Sequence, residues 1–380
     1  MASSEQGELL VNPRAETESG FTGFPRRFTE LVIEERWFIG ILAVCFAVAG
    51  AVYPYPQVAM WVGFLFAGYA VIANDSIQTI GTFIASNKHR PWWVLWLFIG
   101  GVMLVTVAYS WFAYDGDVTY GRLASKGFST APTSFVFLQV AGPLFLLILT
   151  RLRMPVSTTF LLLSCFATEP AGVGSVLQKS LIGYVLAFVL AIAVWFAAGR
   201  LIDRKFTGRP HPAWHVGLWV STSLLWCMWL VQDAANVAVF LPRQLSLAEF
   251  AVFAAVLFFG LALLFKLGGD KIQQVVEEKA AVSDVRHATT VSAVYGVILF
   301  VFKVWSEVPM STTWVFIGLL AGREIALNAT KAHKIERRSR REVTKLILRD
   351  LIYVTTGLVV SLGLAVLVSP ELQTYIFGGG

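Results

Sequence analysis

Ala73-Asn74-Asp75-Ser76-Ile77-Gln78-Thr79-Ile80-Gly81-Thr82 sets an aspartate and two amides in the middle of an otherwise apolar run over residues 57–86. A run of that length can cross a hydrocarbon core about 30 Å thick, and an ionised aspartate at its centre costs at least roughly 2.5–3.5 kcal/mol on insertion scales. So costly a group persists where it faces a cavity or binds a cation. A looser copy, Val231-Gln232-Asp233-Ala234-Ala235-Asn236-Val237-Ala238, lies in a second apolar run. Both copies carry an amide before the aspartate and another three residues after it.

A second signature also recurs. Pro155-Val156-Ser157-Thr158-Thr159 is matched by Pro309-Met310-Ser311-Thr312-Thr313, and the order and spacing agree: Asp75 to Ser157 is 82 residues, Asp233 to Ser311 is 78. Two signatures in the same order mean a duplicated chain, the plan of many transporters.

The composition agrees with a membrane reading. Of 380 residues 56% are hydrophobic and 14% charged, whereas a soluble domain carries about a quarter charged residues. Secreted, DNA-binding and soluble-enzyme classes are thereby excluded. Apolar runs near 37–54, 57–86, 92–112, 132–150, 156–175, 181–200, 213–240, 248–266, 288–306, 310–325 and 350–368 give about 11 membrane segments in an all-α integral membrane protein. Net charge is +6, with Lys and Arg gathered in Lys88-His89-Arg90, Arg151 with Arg153, Arg200 to Arg209, Lys266 to Arg286 and the tract 323–349. Basic short loops face the cytoplasm, so the N-terminus is expected inside a multi-pass cell-membrane protein. Five crossings separate matched elements, an odd number, so the halves are expected as inverted-topology repeats with discontinuous helices at a midplane site.

The expected organisation is a polar segment 1–36, an extra transmembrane helix 37–56, repeat one over 57–200, a linker 201–212, repeat two over 213–368 with a basic cytoplasmic loop 323–349, and a tail 369–380. Pro25 to Trp37 has the pattern of an interfacial amphipathic helix or a polar tail. Cys45, Cys165 and Cys227 lie in apolar segments without paired spacing, so neither disulfides nor a zinc site is expected. His211 and His215 lack accompanying carboxylate or Cys ligands, and no nucleophile–base pattern occurs, so no enzyme is expected. Glu169 and Glu324 are quasi-equivalent but fall near span ends, and Lys303 is long enough to snorkel.

The chemistry follows from residue type. Asp75 and Asp233, with Asn74, Gln78, Gln232 and Asn236, form oxygen-rich sets suited to hard monovalent cations. A Pro-x-Ser-Thr-Thr run starts a helix, because Pro disfavours helix in the residue before it and Ser or Thr caps the freed N–H groups. Ser157, Thr158, Thr159, Ser311, Thr312 and Thr313 would then turn two helix starts toward one centre, where dipole and hydroxyls favour an oxyanion.

With these motifs the chain resembles the inorganic phosphate transporter (PiT) family, whose inverted halves each carry a Gly-Ala-Asn-Asp-Val-Ala-Asn type motif and a Pro-Val-Ser-Thr-Thr type motif. The resemblance spans about residues 57–368. It rests on Asn74, Asp75, Gly81, Thr82 and Pro155 to Thr159 in the first half, and on Asp233, Asn236 and Ser311 to Thr313 in the second. It implies sodium- or proton-coupled phosphate uptake, with cations at the Asn-Asp motifs and the oxyanion between the Ser-Thr-Thr starts. Departures are Ile72 and Leu230 for glycine, Gln78 and Gln232 for asparagine, and Phe160 and Trp314 where histidine is frequent. Longer amides and bulky rings are expected to reshape both sites, which keeps sulfate and bicarbonate as alternative substrates. Importing a divalent anion against about 100 mV costs roughly 4.6 kcal/mol, so two cations neutralise it and a third makes import electrogenic. The expected partners are the oxyanion, the lipid bilayer and, as an open option, a second copy in a homodimer, with no nucleic acid and no cofactor beyond the coupling ions. A non-transporting sensor or scaffold using the 323–349 tract is the competing class.

Overall fold

Apolar runs punctuated by Pro, Ser and short basic stretches fold as helices, and in the computed structural model every regular element among the described residues is helical. The structure describes residues 33, 35–152, 154, 156–166, 178, 182, 185–194, 196–197, 208–267, 285–301, 311–330 and 339–377. Expectations resting on residues 1–32, Pro155, Glu169, residues 201–207, residues 268–284, Lys303 and Pro309 lie outside them. Residues 1–47 and 48–380 form separate units.

The elements are α1 (Arg36–Val52), α2 (Pro56–Ser86), α3 (Trp92–Ala113), α4 (Arg122–Ser125), α5 (Phe137–Arg151), α6 (Thr158–Ser164), α7 (Val185–Val194), α8 (Ala213–Ala238), α9 (Leu247–Lys266), α10 (Val285–Leu299), α11 (Thr312–Thr330), α12 (Arg340–Val368) and α13 (Pro370–Phe377). Five of them, α2, α3, α8, α9 and α12, contain stretches long and apolar enough to cross a bilayer. The chain is by length and composition a multi-pass membrane protein. Its lipid-facing character is visible in exposed apolar side chains such as Val105, Phe112, Val220 and Phe259.

Starts and stops have local causes. Pro56 occupies the first turn of α2, where its missing N–H costs nothing. Ser246 and Glu249 close a capping box on α9, and Ser339 and Glu342 close another on α12. The second box starts α12 ten residues before the expected span at 350. The tract 323–349, expected as a loop, is therefore helical over 323–330 and 340–349. Its Arg, Lys and Glu residues are good helix formers, so charge there interrupts the apolar pattern without interrupting the helix.

Packing sets the two aspartate helices antiparallel. Near its start α2 admits the Phe240 ring, which follows the end of α8, against Gly63. Near its other end, the Phe83 ring lies 5.1 Å edge-on from Trp219 in the first turns of α8. Asn87 Oδ1 also accepts the Trp219 indole N–H at 3.3 Å. α5 packs on α2, α10 on α8, and α12 covers α6 and α11. Ile72 fits because Gly260 on α9 leaves room for it: a Cβ there would lie 3.0 Å from Ile72 Cδ1.

Candidate functional site

Ser157 and Ser311 act as caps. Ser157 is the N-cap of α6 and its Oγ accepts the Phe160 N–H at 3.2 Å, while Ser311 Oγ accepts the Trp314 N–H at 3.4 Å. Capping engages each serine with its own helix start, and the threonines that follow turn to other partners. Thr158 Oγ1 donates to Asp75 Oδ2 at 2.8 Å. Thr159 Oγ1 donates to Asp233 Oδ1 at 3.1 Å. Adjacent residues of one helix start thus hold carboxylates from α2 and α8.

The amides complete the network. Asn74 Nδ2 donates to Asp75 Oδ1 at 2.6 Å and to the Val156 carbonyl at 3.1 Å, and its Oδ1 accepts from Thr150 at 3.0 Å. Asn236 Nδ2 lies within hydrogen-bonding distance of Asp233 Oδ1 (3.0 Å), Thr159 Oγ1 (3.0 Å) and Thr158 Oγ1 (3.2 Å). Gln78 Nε2 donates to Thr313 Oγ1 at 3.1 Å, and that hydroxyl donates to the Val156 carbonyl at 2.9 Å. Two of these bonds correspond: Gln78 reaches Thr313, and Asn236 reaches Thr159. In each, the amide three residues after one aspartate meets the third residue of the Ser-Thr-Thr run that is paired, in the order of the duplicated signatures, with the other aspartate. Thr312 is engaged through its carbonyl, which accepts from Tyr295 Oη at 2.9 Å.

The twelve residues assigned from sequence to the cation and anion sites are all buried, and Asp75, Asp233, Asn236 and Thr313 have no exposure at all. The arrangement differs from the expected division into cation pockets and a separate hydroxyl-lined centre, because the first Ser-Thr-Thr run binds both carboxylates directly. Among the described residues, Gln78 Oε1, Asp233 Oδ2 and Asn236 Oδ1 have no hydrogen-bond donor. Buried acceptors without donors are costly. Carboxylate and amide carbonyl oxygens are the ligands a hard cation takes, so these three atoms are the ones that could hold such an ion. Among the described residues, donors without partners also line the two helices: Ser76 Oγ on α2 and Trp226 Nε1 on α8, whose ring stacks 4.6 Å from Trp229.

The positions that depart from the family motifs divide. The rings of Phe160 and Trp314 pack toward α12, Phe160 with Ala365, Leu372 and Leu362, Trp314 with Ile317 and Val354, and both with Leu358. Both rings rest on apolar neighbours, and the longer amides reach polar ones. Gln78 uses its length to reach Thr313. Gln232 uses its length to reach an arginine.

That arginine, Arg122 on α4, was not singled out from sequence. With the amide set in the orientation that gives both groups partners, Gln232 Oε1 accepts from Arg122 Nη2, from Nη1 at 3.1 Å and from Nε at 3.2 Å. Tyr295 and Thr150 were missed as well. Each sits in a loop or apolar run whose charge or hydropathy was read only for topology. Compared with protein-family models, curated proteins and solved structures, the chain matches none. The fold and the buried polar network therefore define it as far as a multi-pass helical membrane protein.

Proposed function

We propose that this protein is a cation-coupled secondary transporter that imports a small inorganic oxyanion, phosphate before sulfate or bicarbonate, through two inverted repeats on the plan of the inorganic phosphate transporter family. The observation that carries the reading is the corresponding pair of bonds from Gln78 to Thr313 and from Asn236 to Thr159. A two-fold relation between halves requires such a pair. The antiparallel course of α2 and α8 supports an inverted relation.

The coupling ion takes the carboxylate and amide oxygens around Asp75 and Asp233, as sodium or as a proton. The oxyanion takes N–H and O–H donors at the two Ser-Thr-Thr starts. Complete burial of both aspartates corresponds to an occluded state, from which either side opens by movement of one repeat against the other. Costly buried carboxylates on two antiparallel helices favour a carrier over a scaffold, which has no use for them.

The test is accumulation of labelled phosphate, sulfate and bicarbonate in proteoliposomes under an inward sodium gradient, then under a proton gradient alone. Accumulation driven by one of the gradients is expected, and the ranking of the three anions assigns the substrate. Uptake indifferent to both gradients for all three anions removes the symport reading.

A further inference from the structure

Three threonine hydroxyls at the Ser-Thr-Thr starts donate inside the protein: Thr158 and Thr159 to carboxylates, Thr313 to the Val156 carbonyl. Donors open to a ligand lie elsewhere on α2 and α8. Among the described residues, Ser76 Oγ, Thr222 Oγ1 and Trp226 Nε1 have no hydrogen-bond partner, and these residues are 0%, 0% and 1% exposed.

Helical register brings the three together. The face that α8 turns to α2 is marked at one end by Trp219, whose ring lies 5.1 Å edge-on from Phe83. It is marked at the other by Val237, whose Cγ1 lies 3.7 Å from where a Cβ on Gly68 would stand. Ser76 comes eight residues after Gly68 and seven before Phe83, and Trp226 comes seven after Trp219 and eleven before Val237. These spacings are close to whole turns, so both residues lie on the facing stripes. Being seven residues from the same contact on antiparallel helices, they also stand at one level. Thr222 is one turn nearer Trp219. The Trp226 ring stacks on Trp229 at 4.6 Å, and beyond Thr222 the Trp219 ring lies 4.4 Å from Phe98 and 5.2 Å from the Arg90 guanidinium.

An indole N–H can only donate, so whatever satisfies Trp226 is an acceptor. Hydrogen bonds to an ionised acceptor are about twice as strong as neutral ones. We propose that Ser76, Thr222 and Trp226 form a second oxyanion station, between the aspartates and the Phe83–Trp219 contact, where a tetrahedral oxyanion is held by neutral O–H and N–H donors. The proposal rests on the transporter reading and adds to it a binding step between the Ser-Thr-Thr starts and the end of α2 that leads to Arg90. Ser76 directly follows Asp75, so a coupling cation at that carboxylate balances the charge of the anion, and oxyanion binding is expected to strengthen when the coupling ion is present.

The test is equilibrium binding of labelled inorganic phosphate, and separately of labelled sulfate, to the purified full-length chain, in sodium and again without sodium at acidic pH. Ser76→Ala, Thr222→Val and Trp226→Phe, the last keeping a ring against Trp229, are each expected to weaken binding of the preferred anion about three- to tenfold. Whichever anion is weakened is the one the station takes. Thr222→Ser is expected to bind within about twofold of wild type, since it keeps the hydroxyl. Ser223→Ala serves as the control: its hydroxyl donates to the Trp219 carbonyl at 2.9 Å, and its loss should leave affinity within about twofold. Without anion, Ser76→Ala and Thr222→Val should unfold at no lower temperature than wild type, because neither removes an internal bond. A structural prop would show the reverse, a lower unfolding temperature with unchanged affinity. If one variant does not fold, the other two decide.

Unchanged affinity for both anions in the single variants overturns the station and leaves water as the partner of these donors, and absence of binding to the wild-type chain overturns it too. Gradient-driven uptake decides the transporter reading separately. Accumulation by the wild type with unaltered binding in the variants keeps that reading and removes the station. Binding weakened by the variants, in a chain that accumulates nothing, keeps the station and removes the reading.

Discussion

Ser157-Thr158-Thr159 and Ser311-Thr312-Thr313 are the same three residues in two different surroundings. In both, serine caps the helix. In the first, the two threonine hydroxyls donate to carboxylates on two antiparallel helices. In the second, the Thr313 hydroxyl donates to a backbone carbonyl and accepts from an amide, and Thr312 contributes its own carbonyl to Tyr295. Identical sequence therefore does charged work on one side and neutral work on the other. For a carrier made of inverted halves, this asymmetry is what one conformational state is expected to look like, with the roles exchanged in the state that opens to the opposite face.

The aspartates offer the largest way to break that comparison. Asp75 accepts on both oxygens, from Asn74 and Thr158, whereas Asp233 Oδ2 accepts from nothing among the described residues. Asp75→Asn turns an amide N–H₂ toward a donor and is expected to lower stability by about 1–3 kcal/mol besides abolishing concentrative uptake. Asp233→Asn has room for its N–H₂ at the unused position, so uptake is lost with little change in thermal unfolding. Equal destabilisation by both variants would show that the two carboxylates are equally embedded. Normal accumulation in either would make that carboxylate structural.

The threonines come next. Hydrogen bonds to charged groups contribute about 1.5–3 kcal/mol each, neutral ones about 0.5–1.5. Thr158→Val with Thr159→Val removes two of the charged kind and is expected to weaken sodium binding by at least 100-fold. Thr312→Val with Thr313→Val removes neutral bonds and should weaken it by about tenfold or less. Titration of sodium into each purified double variant decides. Equal losses would mean that the second run reaches the carboxylates as often as the first.

Much of this was legible in the sequence because each recurring element is local. An aspartate inside an apolar run and a Pro-x-Ser-Thr-Thr start can be recognised without knowing what they touch. Spans such as 92–112 and 248–266 emerged within a residue of α3 and α9, since hydrophobicity alone sets them. Where side chains set the boundary, hydropathy misled. α5 begins at Phe137 and not at 132 because Gln139 Oε1 caps the Val136 N–H at 2.9 Å, and α12 begins at Arg340 because of Ser339 and Glu342. The partners of the site were illegible for a different reason. Arg122 lies 110 residues from Gln232, and nothing in the loop's composition records that it folds back over α8. The division of labour between the two Ser-Thr-Thr runs is equally invisible, because the residues that divide it lie on other helices.

The smallest effect on transport is expected at the residue that follows each run. Phe160 and Trp314 are both nearly fully buried, and both rest on α12 with Leu358 between them. Replacing either with Leu removes ring atoms from an apolar contact. The cost is about 1–2 kcal/mol for Phe160→Leu and about 2–3 kcal/mol for Trp314→Leu, scaled down from the full truncation to Ala. Both should appear as a lower unfolding temperature. Because both rings pack on apolar residues of α12, the ratio of phosphate to sulfate uptake should stay within about twofold of wild type. A histidine at these positions would face the same apolar surroundings, so Phe160→His and Trp314→His should destabilise the protein without improving phosphate selection. A tenfold change in the anion ratio from either leucine variant would mean that the rings leave α12 during the cycle and touch the substrate, and the difference between the two helix starts would then extend one residue further than their hydroxyls.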